Sequence, residues 1–143
     1  MPTATYHTTV TWKGDHRGYL VCGNGAEMDF SAPPDAHGHA GVMTPEDAFV
    51  AAANTCVMMM FLWACERFKI SLVSYECRAE GTKTIELDRT ELFTKIVLCP
   101  KIRVKDCDET RVRRALQSAQ KYSLVANSVK SQVTVEPEIT VES

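Results

Sequence analysis

This sequence carries almost no net charge. Its 16 Lys and Arg against 18 Asp and Glu leave −2 at pH 7, which gives no electrostatic reason to expect nucleic acid or an anionic membrane as a partner. It also lacks any CxxC spacing. Its six cysteines, at 22, 56, 65, 77, 99 and 107, stand mostly in apolar, element-like contexts. That pattern suits free thiols in a reducing compartment better than a disulfide framework. The opening residues MPTATYHTTV have neither the charged nor the apolar region of a secretory signal, so a cytoplasmic location is expected. There is no repeat, linker or low-complexity segment, and 143 residues fit a single domain, 1–143.

What the chain does have is one long apolar run. Thr44–Lys69 reads TPEDAFVAAANTCVMMMFLWACERFK, and between Ala48 and Cys65 only Asn54 and Thr55 are clearly polar. Thr44 suits a helix cap, Pro45 the first helical position, and Glu46 and Asp47 place negative charge in the first turn. A helix apolar on every side has to be buried on every side. The small residues Ala48, Ala51, Ala52 and Thr55 recur at steps of three and four, so a second helix could approach closely along that face. At 18 residues the run is at the short edge for crossing a bilayer, and polar residues interrupt it near its centre. A core helix, not a membrane span, is therefore expected. Enclosing some 36 Å of such a helix, about 24 residues long, is demanding for a lone chain that buries roughly 70% of its unfolded surface. A homodimer would ease it.

Around this helix the pattern is mostly strand. Ala4–Trp12 alternates and is rich in β-branched residues, and Gly14-Asp15 begins a turn carrying His16, Arg17 and Gly18. Tyr19–Cys22 and Glu27–Phe30 join at the hairpin signal Gly23-Asn24-Gly25. Ser31–Gly41 reads as a loop whose His37 and His39 have no Cys or carboxylate cluster at ligand spacing, so no metal is expected. Beyond the central helix, Ser71–Gly81 alternates as a strand, and Thr82–Thr90 is a charged turn or strand extension. Leu92–Val104 reads as one strand or two, interrupted near Cys99-Pro100. Asp108-Glu109 starts a second helix with the stripe Val112, Ala115, Leu116, Ala119, and Arg111, Arg113 and Arg114 fall on its solvated faces. The helical pattern continues or restarts over Tyr122–Lys130. Gln132–Val141 ends the chain as a strand in which Pro137 implies an edge or bulge. The order predicts an α+β domain.

Cys56, in the middle of the apolar helix, is the candidate for chemistry. A thiol acts as a nucleophile only as thiolate, which a nearby cation or dipole favours. Buried cysteines otherwise simply pack.

Pro45-Glu46, an Ala-rich turn and Cys56 in a buried helix resemble the OsmC/Ohr superfamily, that of osmotically inducible protein C and the organic hydroperoxide resistance proteins. The resemblance runs from Trp12-Lys13-Gly14 through TPEDAFVAAANTCV to the second helix and the VTVEPEITV ending. It implies an OsmC-like fold with antiparallel sheets around a long buried central helix, an intertwined homodimer, and sites at the dimer interface. It also implies reduction of small-molecule hydroperoxides by cysteine, without a cofactor, a thiol or dithiol reductant restoring the enzyme. By the same resemblance Cys56 takes the place of the peroxide-attacking cysteine and Glu46 that of the glutamate at the helix start. Arg17 takes that of the arginine which stabilises the thiolate, with His16 and Lys13 as alternatives in the same turn. Ser123 stands where the family has its second, resolving cysteine, and Leu124 where Pro usually follows.

A serine cannot close a disulfide. Cys65, nine residues beyond Cys56, is about 13.5 Å further along the helix and on its opposite face, out of disulfide reach. Cys22 and Cys77 remain open as resolving thiols. Two readings follow: a one-cysteine hydroperoxide reductase, or a non-catalytic dimer with an apolar cleft near Cys56 and Met58–Met60 for a small hydrophobic molecule.

Overall fold

A computed structural model describes all residues, 1–143. The chain divides into two compact units, Met1–Phe49 and Val50–Ser143.

The first unit is a three-stranded antiparallel sheet, β1 (Thr8–Trp12), β2 (Arg17–Cys22) and β3 (Glu27–Ser31), in the order β1-β2-β3. The first strand begins at Thr8, four residues later than its composition suggests. Register pairs Val10 with Leu20, Trp12 with Gly18, Leu20 with Met28 and Gly18 with Phe30. Strand alternation therefore gathers Val10, Trp12, Leu20, Met28 and Phe30 on one face. Phe30 lies so close over Gly18 that a Cβ there would overlap its ring. The loop after β3 is tied down at Ser31, which is fully buried: its hydroxyl donates to Ala32 O (2.8 Å) and accepts from His39 N (3.3 Å).

The central helix, α1 (Pro45–Arg67), starts on the expected cap: Thr44 Oγ1 accepts from Asp47 N at 3.0 Å and donates back to the Asp47 carboxylate at 2.9 Å. It ends in a Schellman closure, with Lys69 left-handed at φ 55 and Ile70 N bonded to Cys65 O at 2.8 Å.

The second unit carries the core. β4 (Ser71–Ile85) and β5 (Glu91–Lys105) form a long antiparallel hairpin, followed by α2 (Glu109–Tyr122), α3 (Leu124–Ser128), β6 (Gln132–Val135) and β7 (Glu138–Glu142). Ile96, Leu98, Pro100, Ile102 and Val104 of β5 are buried at every second position. α1 packs on β4: the Phe61 and Tyr75 rings are 5.5 Å apart, and Asn54 Nδ2 donates to Cys77 O at 3.2 Å.

One open alternative is decided and two expectations need correction. Of one strand or two over Leu92–Val104, the structure has one: β5 is unbroken through Cys99-Pro100. β6 pairs with it up to Leu98 and β7 from Lys101 onward, so Pro100 stands where that edge passes from one partner to the next and its missing N–H interrupts neither. The final strand is two, parted at Glu136-Pro137, and both run parallel to β5, so this sheet is mixed rather than antiparallel. Finally, α1 is not buried all round within one chain. Only Ala53, Val57, Phe61, Ala64 and Cys65 are buried, a single stripe against the sheet. By length and composition α1 could cross a membrane, and 28% of its most apolar 18-residue window is buried.

Candidate functional site

At about 100° per residue, the buried stripe of α1 centres between Ala53 and Phe61. Cys56 lies just outside it, half-buried with a free thiol, on the flank that continues through Met60, Trp63 and Arg67. Along this flank α1 and α2 frame an open groove of about 160 Å³, lined by Met60, Trp63, Ala64, Arg67, Ser118 and Tyr122. α2 is held there by Val112, Ala115, Leu116 and Ala119, all buried, and is capped by Asp108, whose Oδ1 accepts from Arg111 N at 2.8 Å. Arg111, Arg113 and Arg114 are exposed, as the solvated-face reading expects, and Arg113 pairs with Glu109 at 3.0 Å.

On the opposite flank is a smaller cavity of about 120 Å³ between Asn54, Thr55, Met58, Tyr75 and Cys77. The Tyr75 hydroxyl is buried with no hydrogen-bond partner. Burial, and then the Cys77 thiol beside it, push its pKa upward. Nothing in the sequence singles out Tyr75 beyond its place in an alternating strand. Asn54, whose amide donates to Cys77 O, lies roughly 160° round α1 from Cys56, and burial raises the Cys77 pKa. Cys65 is on another side again. It is buried in the stripe facing the sheet, and burial, with a smaller contribution from the neighbouring Cys107, pushes its thiol up to about 11. The methionine run divides between these places: Met60 lines the groove, Met58 the cavity, and Met59 is exposed.

In the first unit the three basic side chains of the turn differ in what holds them. Lys13 Nζ lies 6.0 Å from the centroid of the Tyr19 ring, and His16 stacks on His37 at 5.6 Å. Arg17, exposed at the start of β2, is fixed by its backbone: its N–H bonds Gly14 O at 3.1 Å and its carbonyl accepts from Lys13 N at 3.0 Å. Its guanidinium has no ion pair or hydrogen bond. Glu46, in the first turn of α1, has a buried carboxylate oxygen, also without a partner. α1 is continuous, so ten residues, roughly 15 Å of rise, separate Glu46 from Cys56.

Ser123 is fully buried between α2 and α3. Its hydroxyl accepts from Ala126 N at 3.2 Å and caps α3, and its carbonyl accepts from Asn127 N at 3.0 Å. Serine thus has a structural part of its own here, at the break between α2 and α3, and of the two alternatives over Tyr122–Lys130 the helix restarts.

No curated protein matches the chain. Among solved structures it is similar to an OsmC-like protein of unknown function from Vibrio cholerae, at 23% identity and TM-score 0.86, over 94% of this chain and 99% of that one. An OsmC-like protein from Mycoplasma pneumoniae aligns at 15% identity and TM-score 0.80, over 98% and 99%. An organic hydroperoxide resistance protein OsmC from Legionella pneumophila aligns at 16% and 0.72, again over 98% and 99%. These likenesses establish the fold. The sequence model of the OsmC-like protein family matches residues 38–138, most of the chain, and the protein is a member of that family.

Proposed function

We propose that this protein is a homodimeric, thiol-dependent reductase of organic hydroperoxides that works through Cys56. The observation carrying the reading is the position of Cys56: a free, half-buried thiol in mid-helix, just outside the buried stripe of α1, in a chain of the OsmC-like family. The name of the Legionella relative speaks of organic hydroperoxide resistance. In the first step the Cys56 thiolate attacks the distal peroxide oxygen. An S–O bond forms, the O–O bond breaks, and the departing alkoxide takes a proton to leave as alcohol, with sulfenic acid left on Cys56. Two external thiols then reduce it, releasing water and their own disulfide. Arg17 stabilises the thiolate and the departing oxygen, and Glu46 orients the arginine. A buried carboxylate oxygen and a guanidinium that both lack partners support that pairing.

The homodimer follows from what one chain leaves uncovered. The apolar face of the first sheet exposes Val10, Trp12 and Met28, and the outer side of α1 exposes Ala51, Thr55 and Met59. A second copy is the partner we assign to both, giving a large obligate interface.

One observation favours a second reading. The residue in the resolving position is used as a helix cap, which fits a dimer that has left peroxide chemistry and binds a small hydrophobic molecule. Stoichiometric cumene hydroperoxide with a sulfenic-acid trap, followed by mass spectrometry, separates the two. An adduct on Cys56 is expected, and a protein that neither traps nor consumes peroxide sinks the reductase reading.

A further inference from the structure

Two pairs among the six free cysteines stand on adjoining stretches of backbone. Cys77 and Cys99 belong to neighbouring strands, but register sets Cys99 opposite Arg78 and Cys77 opposite Pro100. Alternation then sends their side chains to opposite faces of the sheet. Cys65 and Cys107, forty-two residues apart in the sequence, are placed differently. The last turn of α1 closes with Ile70 N on Cys65 O at 2.8 Å, which lays Cys65 beside the residue that leads into β4. Ser71, the next residue, pairs with Lys105 at the end of β5. Asp106 then turns left-handed at φ 53, its N–H donating to Glu142 O at 2.9 Å, and Cys107 follows. One hydrogen bond, one strand pairing and three steps along the chain therefore join the two residues. The electrostatics agree. After burial, Cys107 is the next cause raising the Cys65 thiol, and a charge at 107 has that effect only from nearby.

The two thiols differ in access. Cys65 is 4% exposed and faces the sheet, away from the side of α1 assigned to a second copy. Cys107 is half-buried in the turn before α2, and its thiol, a weak donor, meets Asp108 O at 3.3 Å. A guarded thiol behind an accessible one is the arrangement of a dithiol exchange site, in which the outer sulfur attacks and the inner one resolves. We propose that Cys65 and Cys107 form a second redox site, one that reduces small organic disulfides and closes into an internal disulfide. The Cys107 thiolate attacks one sulfur of the small disulfide, whose S–S bond breaks and whose other half leaves as a thiol. A mixed disulfide then stands on Cys107. The Cys65 sulfur attacks the Cys107 sulfur, the bond to the small molecule breaks, and the second half leaves as a thiol. Two electrons pass from the pair to the small disulfide, and the two protons of the pair leave on the two thiols. The closed bond ties the end of α1 to the start of α2, next to the Asp108 cap. None of this uses Cys56, so the site stands whether or not the protein consumes peroxide.

Glutathione disulfide, in excess over the reduced full-length protein, tests the site. Digestion without reductant and mass spectrometry should find a peptide pair linked through Cys65 and Cys107. Cys65→Ala should instead stop at the mixed disulfide and keep one glutathione on Cys107. Cys107→Ser should leave Cys65 as a free thiol, because the outer sulfur that receives the first exchange is gone. Both are small replacements, and urea unfolding will show that each variant folds. In wild type the linked form should unfold at a higher urea midpoint than the reduced form, since the bond closes a long loop of the unfolded chain. Dithiothreitol should reverse that rise, and Cys65→Ala should not show it. Wild type that holds glutathione on Cys107 without linking to Cys65 overturns the proposal, as does linkage of either cysteine to a different one in place of this pair. Cys107 left unreacted, or a linkage that lowers the midpoint, overturns it as well.

Discussion

α1 and α2 each bury one stripe, five residues in the first and four in the second. α2 needs no more than that, because its other faces carry Arg111, Arg113, Arg114, Gln117 and Lys121, which water solvates. α1 has no such second face. Outside its buried stripe it presents Ala51, Thr55, Met58, Met59 and Leu62, some half-covered and some open, and nothing in the chain completes the enclosure. Two helices that each bury a single stripe therefore differ in what they still require. α2 is finished as a monomer. The remaining apolar surface of α1 has to be met by another molecule, and burial at roughly 25 cal/mol per Å² of apolar area makes that requirement large.

The sharpest way to break this comparison is to place one charge on each helix. Met59→Glu puts a carboxylate on the uncovered face of α1 and should abolish the dimer, giving monomer or unfolded chain in sedimentation at micromolar concentration. Gln117→Glu on the solvated face of α2 should move stability by no more than about 0.5 kcal/mol. Wild type should unfold with a midpoint that rises with protein concentration. A folded wild-type monomer of 15.9 kDa would end the argument for a second copy.

The contrast also shows which parts of the molecule its sequence made legible. Periodicity identified α2, its stripe and its charged faces, because every constraint on that helix lies within the chain. It identified α1 too, with its Thr44 cap, but not which fifth of it would face the sheet: an all-round apolar pattern has no preferred side, and the choice is made by Phe61 meeting Tyr75 and Asn54 meeting Cys77 across long sequence separations. The parallel attachment of β6 and β7 to β5 was illegible for the same reason, since alternation marks a strand without naming its neighbour. Of the site, Cys56 stood out through its context. The groove between α1 and α2 did not, because its lining residues come from two helices and none of them is unusual where it stands.

A second, smaller test compares two thiols of α1. Burial holds the Cys65 thiol at about 11, against 9.0 for the unperturbed group. Raising a thiol pKa on folding means that the unfolded chain ionises first. The stability this group contributes is therefore complete below pH 9 and is lost as pH climbs toward 11, by up to about 2–3 kcal/mol. Urea unfolding at pH 8 and pH 10.5 should show a loss in wild type that is smaller in Cys65→Ala. At pH 8 only about one Cys65 thiol in a thousand is ionised, so iodoacetamide should reach Cys56 long before Cys65. Arg17→Ala should slow the Cys56 reaction if the arginine favours its thiolate. Equal rates for the two thiols would remove the distinction between the flank of α1 and its buried stripe.

The smallest effect expected is at Ser123, and it bears on the chemistry most directly. Its hydroxyl caps α3 through Ala126 N, so Ser123→Ala should cost about 1 kcal/mol, seen as a lower urea midpoint with unchanged slope. Ser123→Cys should cost a similar amount in the reduced protein, because a thiol is a poor substitute acceptor. Oxidation then separates the two variants. If Cys56 attacks a hydroperoxide, wild type has no thiol at this position and its sulfenic acid should persist, passing with excess peroxide to sulfinic acid that the protein cannot reverse. Ser123→Cys should instead close a disulfide with Cys56 after one equivalent of hydroperoxide, resist overoxidation, and recover its thiols with dithiothreitol. A rapid Cys56 disulfide in wild type would mean that another cysteine resolves it, and with Cys65 and Cys77 on other sides of α1 the search would turn to Cys22. Ser123→Cys that forms sulfenic acid yet no disulfide would mean that the cap between α2 and α3 holds residue 123 away from Cys56, leaving an external thiol as the route back.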